Sequence, residues 1–212
     1  MRCAVCGADG GEQLCGACRE ALPRLQPPLC ERCGAPTAWP VARCRECSGR
    51  RLAYATARAA VAYDEGVRRL VAAWKERGLR RLAADAAEVV AELILPPRST
   101  ALAFVPSDRA RALQRGYHPA ERLARELAEH WSLPVLPLLA RTRPVPRQRG
   151  LPLADRRRNV AGTFAPAAKC PRAITLIDDV YTSGATVAAA ASALRKAGAR
   201  RVDVVTFARV VR

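Results

Sequence analysis

Asp178 and Asp179 stand side by side and are followed by Thr182, Ser183, Gly184, Ala185 and Thr186, an order of residue types suited to a sugar phosphate. A phosphate dianion is held by backbone N–H groups turned inward at a helix start and by hydroxyl donors around them. Ser183, Gly184 and Ala185 can supply the first, and Thr182, Ser183 and Thr186 the second. The two carboxylates repel such a dianion. They accept hydrogen bonds instead, from a ribose diol directly or through a hydrated Mg2+.

The elements that must position this run are legible around it. Ile174-Thr175-Leu176-Ile177 is apolar and rich in β-branched residues, which fits a buried central strand, and the segment through Lys196 has the small residues and length of a helix. The loop between them then lies at a strand's carboxyl end, where open α/β sheets bind ligands. Diol, metal and 5′-phosphate functions gathered in one strand, loop and helix resemble the 5-phosphoribosyl-1-pyrophosphate (PRPP) signature of type I phosphoribosyltransferases. The resemblance implies PRPP or a related phosphoribosyl ligand, with Mg2+. It places Asp178 and Asp179 on ribose and metal, and Thr182, Ser183, Gly184, Ala185 and Thr186 on the 5′-phosphate.

Eight of the nine cysteines precede residue 50, as four C-x-x-C units: Cys3/Cys6, Cys15/Cys18, Cys30/Cys33 and Cys44/Cys47. Such a unit lets two thiolates converge on one tetrahedral cation, and two units close a Zn2+ site with no position left for catalysis. Two structural zinc sites are expected. Cys-x-x-Cys-Gly-Ala followed by a second Cys-x-x-Cys occurs twice, which favours Cys3, Cys6, Cys15 and Cys18 on one zinc and Cys30, Cys33, Cys44 and Cys47 on the other; a crossed arrangement is the alternative. A disulfide framework is the poorer reading, because nothing directs export and a C-x-x-C pair makes a poor structural disulfide. Residues 1–50 hold few large apolar side chains, so metal must supply most of their folding free energy, on the order of 10 kcal/mol per zinc. Cys170, alone between Lys169 and Pro171, reads as a packing residue.

Between the cysteines and the acidic pair, Asp64 to Gly78 has the spacing of an amphipathic helix with an Asp start and a Gly stop, and Leu82 to Leu95 suits a second helix ended by Pro96-Pro97. Ala101 to Val105 is a short apolar strand, so a second ligand loop can follow it at Pro106-Ser107-Asp108-Arg109. Arg109, Arg111 and Arg115 form a basic turn there, closed by Gly116, whose guanidiniums could grip a pyrophosphate through bidentate contacts. A helix from about Pro119 to Glu129 comes next. Residues 141–158 carry seven arginines, among them Arg147 and Arg149, against one aspartate, with three prolines and a glycine. That composition suits a long loop: a lid over an anionic ligand or a DNA-contacting arm. Asn159 to Phe164 is expected to return the chain to the sheet, and Arg201 to Ala208 to form the last strand.

Composition bounds the rest. A chain of 212 residues can bury a substantial core, and the change near residue 50 divides it into a double ribbon, 1–50, and one α/β domain, 51–212. The formal charge of +17 rests on 33 arginines and three lysines against 19 acidic residues. Eight thiolates holding two zinc ions would lower it to about +13, still suited to a polyanionic partner such as nucleic acid, nucleotide or pyrophosphate. Met1-Arg2-Cys3 begins no signal peptide and no segment is apolar enough to span a membrane, so a cytoplasmic protein without membrane insertion is expected.

Taken in order, the cysteine pairs, Trp74-Lys75-Glu76-Arg77-Gly78, Val105-Pro106, Arg115-Gly116-Tyr117, Gln148 with Arg157 and Asn159, and the Asp-Asp run resemble the ComF family from about residue 3 to residue 209. The resemblance implies a double zinc ribbon joined to a type I phosphoribosyltransferase fold, a mostly parallel sheet flanked by helices. It also implies a cytoplasmic role in handling single-stranded DNA during natural transformation, beside other competence proteins. Val105 to Asp108 takes the pyrophosphate-loop position, with Ser107 and Asp108 as its candidates. His118-Pro119 replaces the family's Asn-Gln, and His118 reads as an exposed helix-start residue. No catalytic residue is singled out. The same pocket would also serve an active PRPP-dependent transferase acting on an unidentified base, or a PRPP-sensing regulator.

Overall fold

The structure is a computed structural model and describes residues 1–142 and 162–211. A four-stranded, wholly parallel sheet is built from β1 (Thr56–Ala62), β6 (Arg201–Arg209), β5 (Ala173–Tyr181) and β2 (Leu102–Phe104), in that order across the sheet. β5 is buried on both faces along nearly its whole length, as a central parallel strand must be. Side chains alternate between two cores. Leu102, Phe104, Ile177, Val205 and Phe207 face helices α2 (Glu65–Glu76), α3 (Leu82–Leu93) and α5 (Pro119–Trp131). Ala101, Ala103, Ile174, Leu176, Val202 and Val204 face α6 (Ala185–Lys196).

Local chemistry accounts for most boundaries. The Asp64 carboxylate accepts from the Val67 N–H at 2.8 Å and starts α2, and Gly78, at φ 71°, turns the chain beyond it. α3 stops at Leu93, two residues short of the expected end. Ile94 is already extended, and Pro96 biases Leu95 away from helix as well. The basic segment after β2 is a helix, α4 (Arg109–Arg115), where a turn was expected, because the Asp108 carboxylate caps it by accepting from the Ala110 N–H at 3.2 Å. Gly116, at φ 71°, ends it as expected. Phe164 does not rejoin the main sheet. β4 (Phe164–Pro166) pairs antiparallel with β3 (Leu139–Arg141) as a separate two-stranded sheet against α6.

The cysteine-rich segment, which contains the short helix α1 (Gly16–Glu20), straddles the β1 edge of the sheet. Ala4, Leu14 and Leu22 join the α2/α3 core, whereas Cys30, Cys33, Cys47, Leu52 and Tyr54 join the α6 core. Between them the chain satisfies the open edge of β1: Leu25 N–H donates to Ala60, Ala62 N–H to Pro23 and Ala57 N–H to Arg32. Cys170 is buried in the α6 core, as a packing residue should be. Among the described residues no helix is long and apolar enough to cross a membrane.

Candidate functional site

β2 and β5 are neighbours, with Phe104 opposite Ile177, and Val105 N–H donates to Ile177. The loops that follow these strands therefore emerge side by side. They enclose a cleft of about 260 Å³ lined by Asp178, Asp179, Thr182 and Thr186 from one loop and by Ser107, Asp108 and Arg115 from the other segment. Ser183 is buried below the loop surface, Gly184 is the left-handed cap of α6 at φ 72°, and Ala185 is its first residue. Arg109 and Arg111 fall on α4. Arg147 and Arg149, with Gln148, Arg157 and Asn159, lie outside the described residues.

Two further cations reach the cleft. Lys75 Nζ, from the last turn of α2, sits 2.6 Å from Asp179 Oδ1, and Arg141, from β3, lines the wall with its guanidinium 5.2 Å from the Phe164 ring centre. Lys75 belongs to the Trp74-Lys75-Glu76-Arg77-Gly78 run that carries part of the family resemblance, but nothing in the local pattern of α2 aims it at the cleft. Arg141 is the first arginine of the basic 141–158 run, but it ends a strand, where a long loop was expected. His118 starts α5 as expected, but it is half-buried and its Nδ1 accepts from the Ser107 N–H at 3.3 Å, holding the loop after β2.

Asp178 lies at the dry end of the cleft. Burial pushes its carboxyl up to about 8, the adjacent Asp179 carboxylate adds to the rise, and Lys75 and Arg141 pull against it. The folded state thus holds a proton that an unfolded chain releases near pH 4, so stability falls as pH rises from there through about 8. Asp178→Asn removes this burden. Between pH 6 and 8.5 the wild-type melting temperature should fall by about 5 °C more than that of the variant, read by thermal unfolding.

The sulfurs converge in two groups, Cys3, Cys6, Cys15 and Cys18, and Cys30, Cys33, Cys44 and Cys47, with all ligand atoms of a group within 4.8 Å of one another. This is the sequential arrangement. A tetrahedral Zn2+ with bonds of about 2.3 Å places its sulfurs about 3.8 Å apart. The observed separations are 3.8 Å for Cys6 and Cys15, 3.6 Å for Cys30 and Cys47, 3.5 Å for Cys33 and Cys44, and 4.0 Å for Cys44 and Cys47. Cys44 N–H also donates to Cys30 Sγ at 3.3 Å, which favours the thiolate. The donor sets fit two structural zinc ions.

Comparison with known proteins bears on both parts. Residues 1–48 match the double zinc ribbon domain model. The chain is 29% identical over 211 residues to Competence protein F of Haemophilus influenzae, covering 92% of this chain and 90% of that protein. It is 28% identical over 201 residues to the DNA utilization protein YhgH of Salmonella typhimurium, covering 90% and 88%. Among solved structures it is similar to orotate phosphoribosyltransferase from Aeropyrum pernix, at 22% identity and a TM-score of 0.35 over 70% of this chain and 67% of that one. It is also similar to TT1426 from Thermus thermophilus, at 18% identity and a TM-score of 0.37 over 60% and 83%. A mostly parallel sheet flanked by helices, carrying a double zinc ribbon at its N-terminal edge, thus accompanies a likeness to the competence and DNA utilization proteins that runs along nine-tenths of the sequence.

Proposed function

We propose that the cleft binds PRPP or a related phosphoribosyl ligand and that the basic surface handles single-stranded DNA, the activity in keeping with the names of the curated relatives. The observation that carries the reading is the meeting of the Asp178/Asp179 carboxylates and the Thr182/Thr186 hydroxyls with Ser107 and Asp108 in one cleft at the strands' carboxyl ends. In this assignment the carboxylates accept from the ribose diol, the α6 cap holds the 5′-phosphate, and Arg115 and Arg141 approach the pyrophosphate. Mg2+, when bound, neutralises pyrophosphate oxygens, and Asp178 and Asp179 are the residues that could hold it. Replacing both aspartates by asparagine should weaken Mg2+-PRPP binding at least roughly hundredfold in isothermal titration, since two carboxylate acceptors are lost. Unchanged affinity would sink the assignment.

The chain has ten aromatic residues, of which Trp39 on the second ribbon is prominently exposed, so DNA binding should be mainly electrostatic. Titration of single-stranded DNA across a salt series should give a log–log slope of roughly −0.7 per phosphate neutralised, altered by saturating Mg2+-PRPP. No binding at low salt removes the DNA half of the proposal. A second reading, a transferase in which an acceptor base displaces pyrophosphate, is favoured by a neighbouring pocket of about 950 Å³. It is bordered by Leu113, Tyr117, His118 and Thr142 and shares Pro106, Ser107, Asp108 and Arg141 with the cleft. Pyrophosphate release across a panel of bases distinguishes turnover from binding alone.

A further inference from the structure

A line of buried contacts runs from the second cysteine cluster to the floor of the 182–186 loop. Arg209, the last residue of β6, is 1% exposed, and guanidiniums are rarely so buried without partners. Its Nη1 donates to the carbonyl of Cys33, and its Nη2 donates to Glu46, the residue before Cys47, at 2.9 Å. Its guanidinium carbon lies 4.9 Å from the centre of the Tyr181 ring. The Tyr181 hydroxyl is hydrogen-bonded to Tyr54 at 2.7 Å, and the ring lies so close beneath Gly184 that a Cβ there would meet the hydroxyl at 2.2 Å. Arg50 forms a second strut, donating to the carbonyls of Glu46 at 3.3 Å and of Ser183 at 3.1 Å. The loop has no floor of its own. Tyr181 is the floor, and the two groups that hold Arg209 against it, the Cys33 carbonyl and the Glu46 carboxylate, belong to the segment of the second cysteine cluster.

We propose that Arg209 is a positioning residue linking zinc occupancy of the Cys30/Cys33/Cys44/Cys47 cluster to the phosphate affinity of the 182–186 loop, an inference that rests on the phosphoribosyl reading of that loop. With the four sulfurs gathered on a metal, the Cys33 carbonyl and the Glu46 carboxylate sit where one forked guanidinium reaches both. When the cluster opens, Arg209 loses those acceptors, Tyr181 loses its support, and the N–H groups above it lose their alignment. The first cluster is held differently. Arg69 and Arg77 of the α2 region donate to the carbonyls of Val5 and Ala4, away from the loop. It is therefore an internal control, and the linkage must act in both directions.

The test uses the zinc-loaded full chain, with ribose 5-phosphate as probe. Arg209→Met should weaken ribose 5-phosphate roughly tenfold in isothermal titration while two zinc ions remain bound, and Arg209→Lys, which keeps the charge but not the fork, should not restore it. Saturating ribose 5-phosphate should slow zinc release from the second cluster to a chromogenic chelator by a comparable factor and leave the first unchanged. A Cys6→Ser variant assigns the two release phases. Should Arg209→Met fail to fold, the release rates of the wild type decide alone. Ligand-independent release overturns the link, even if Arg209→Met binds more weakly, because the arginine then only packs. Should the wild type fail to bind ribose 5-phosphate at all, the phosphoribosyl reading falls and the inference with it.

Discussion

Zinc removed by chelation from the intact chain will cost more than the ribbon. Two zinc ions per chain are expected by elemental analysis, each contributing on the order of 10 kcal/mol to the folding of a segment with little core of its own. The clusters differ in access. Cys6 is exposed, whereas Cys30, Cys33 and Cys47 are buried in the core shared with α6. The first zinc should leave quickly and disorder the surrounding residues only, since Ala4, Leu14 and Leu22 are the few ribbon side chains in the α2/α3 core. Loss of the second should expose the β1 edge, because Arg32 and the 23–25 segment accept from or donate to Ala57, Ala60 and Ala62. Hydrogen exchange at the Leu25, Ala57 and Ala62 amides should therefore rise with the second phase, together with a melting temperature lower by about 10 °C or more. An apo chain that melts with the zinc-loaded one and protects those amides equally contradicts this account.

What the sequence disclosed and what it concealed divide along the range of the forces involved. The β5–loop–α6 unit is specified locally: β-branched residues before the aspartates, small residues after them, and one glycine where φ must be positive. Each C-x-x-C unit is equally local, whereas the grouping of units, for which the sequence left a crossed alternative, is settled by the fold that brings them together in sequence order. β1 was hidden because Thr-Ala-Arg-Ala-Ala-Val-Ala has little intrinsic strand character. Its conformation comes from pairing with β6 on one side and the ribbon on the other. α4 was hidden by its arginines, whose charge suggested a ligand turn while Asp108 quietly capped a helix. Within the cleft, residues of the two strand-end loops were visible from strand and turn signals. Lys75 and Arg141 arrive from a distant helix end and a three-residue strand, and only tertiary packing brings them there.

Gly184→Ala should be a strongly damaging single-methyl change, and its cost can be separated into two parts. Alanine at φ 72° carries about 1 kcal/mol of left-handed strain. The new Cβ would also lie 2.2 Å from the Tyr181 hydroxyl and 2.5 Å from its Cζ, and the ring cannot retreat between Tyr54 and Arg209. Overpacking of this kind adds about 2 kcal/mol, for a total of about 3 kcal/mol in urea unfolding. Gly78→Ala is the control: φ is 71° and nothing lies within 4 Å, so only the strain of about 1 kcal/mol remains. Equal losses at the two glycines would show that Tyr181 yields and is no rigid floor. Because Gly184 also caps α6, any relief by backbone movement displaces the N–H groups of Ala185 and Thr186, and ribose 5-phosphate affinity should fall with stability. Asp178→Asn behaves in the opposite sense, losing ligand while gaining stability at high pH, since there the buried carboxylate works against folding. The glycine-loop half of the cleft is thus maintained by packing that favours the fold, and the carboxylate half is maintained against it.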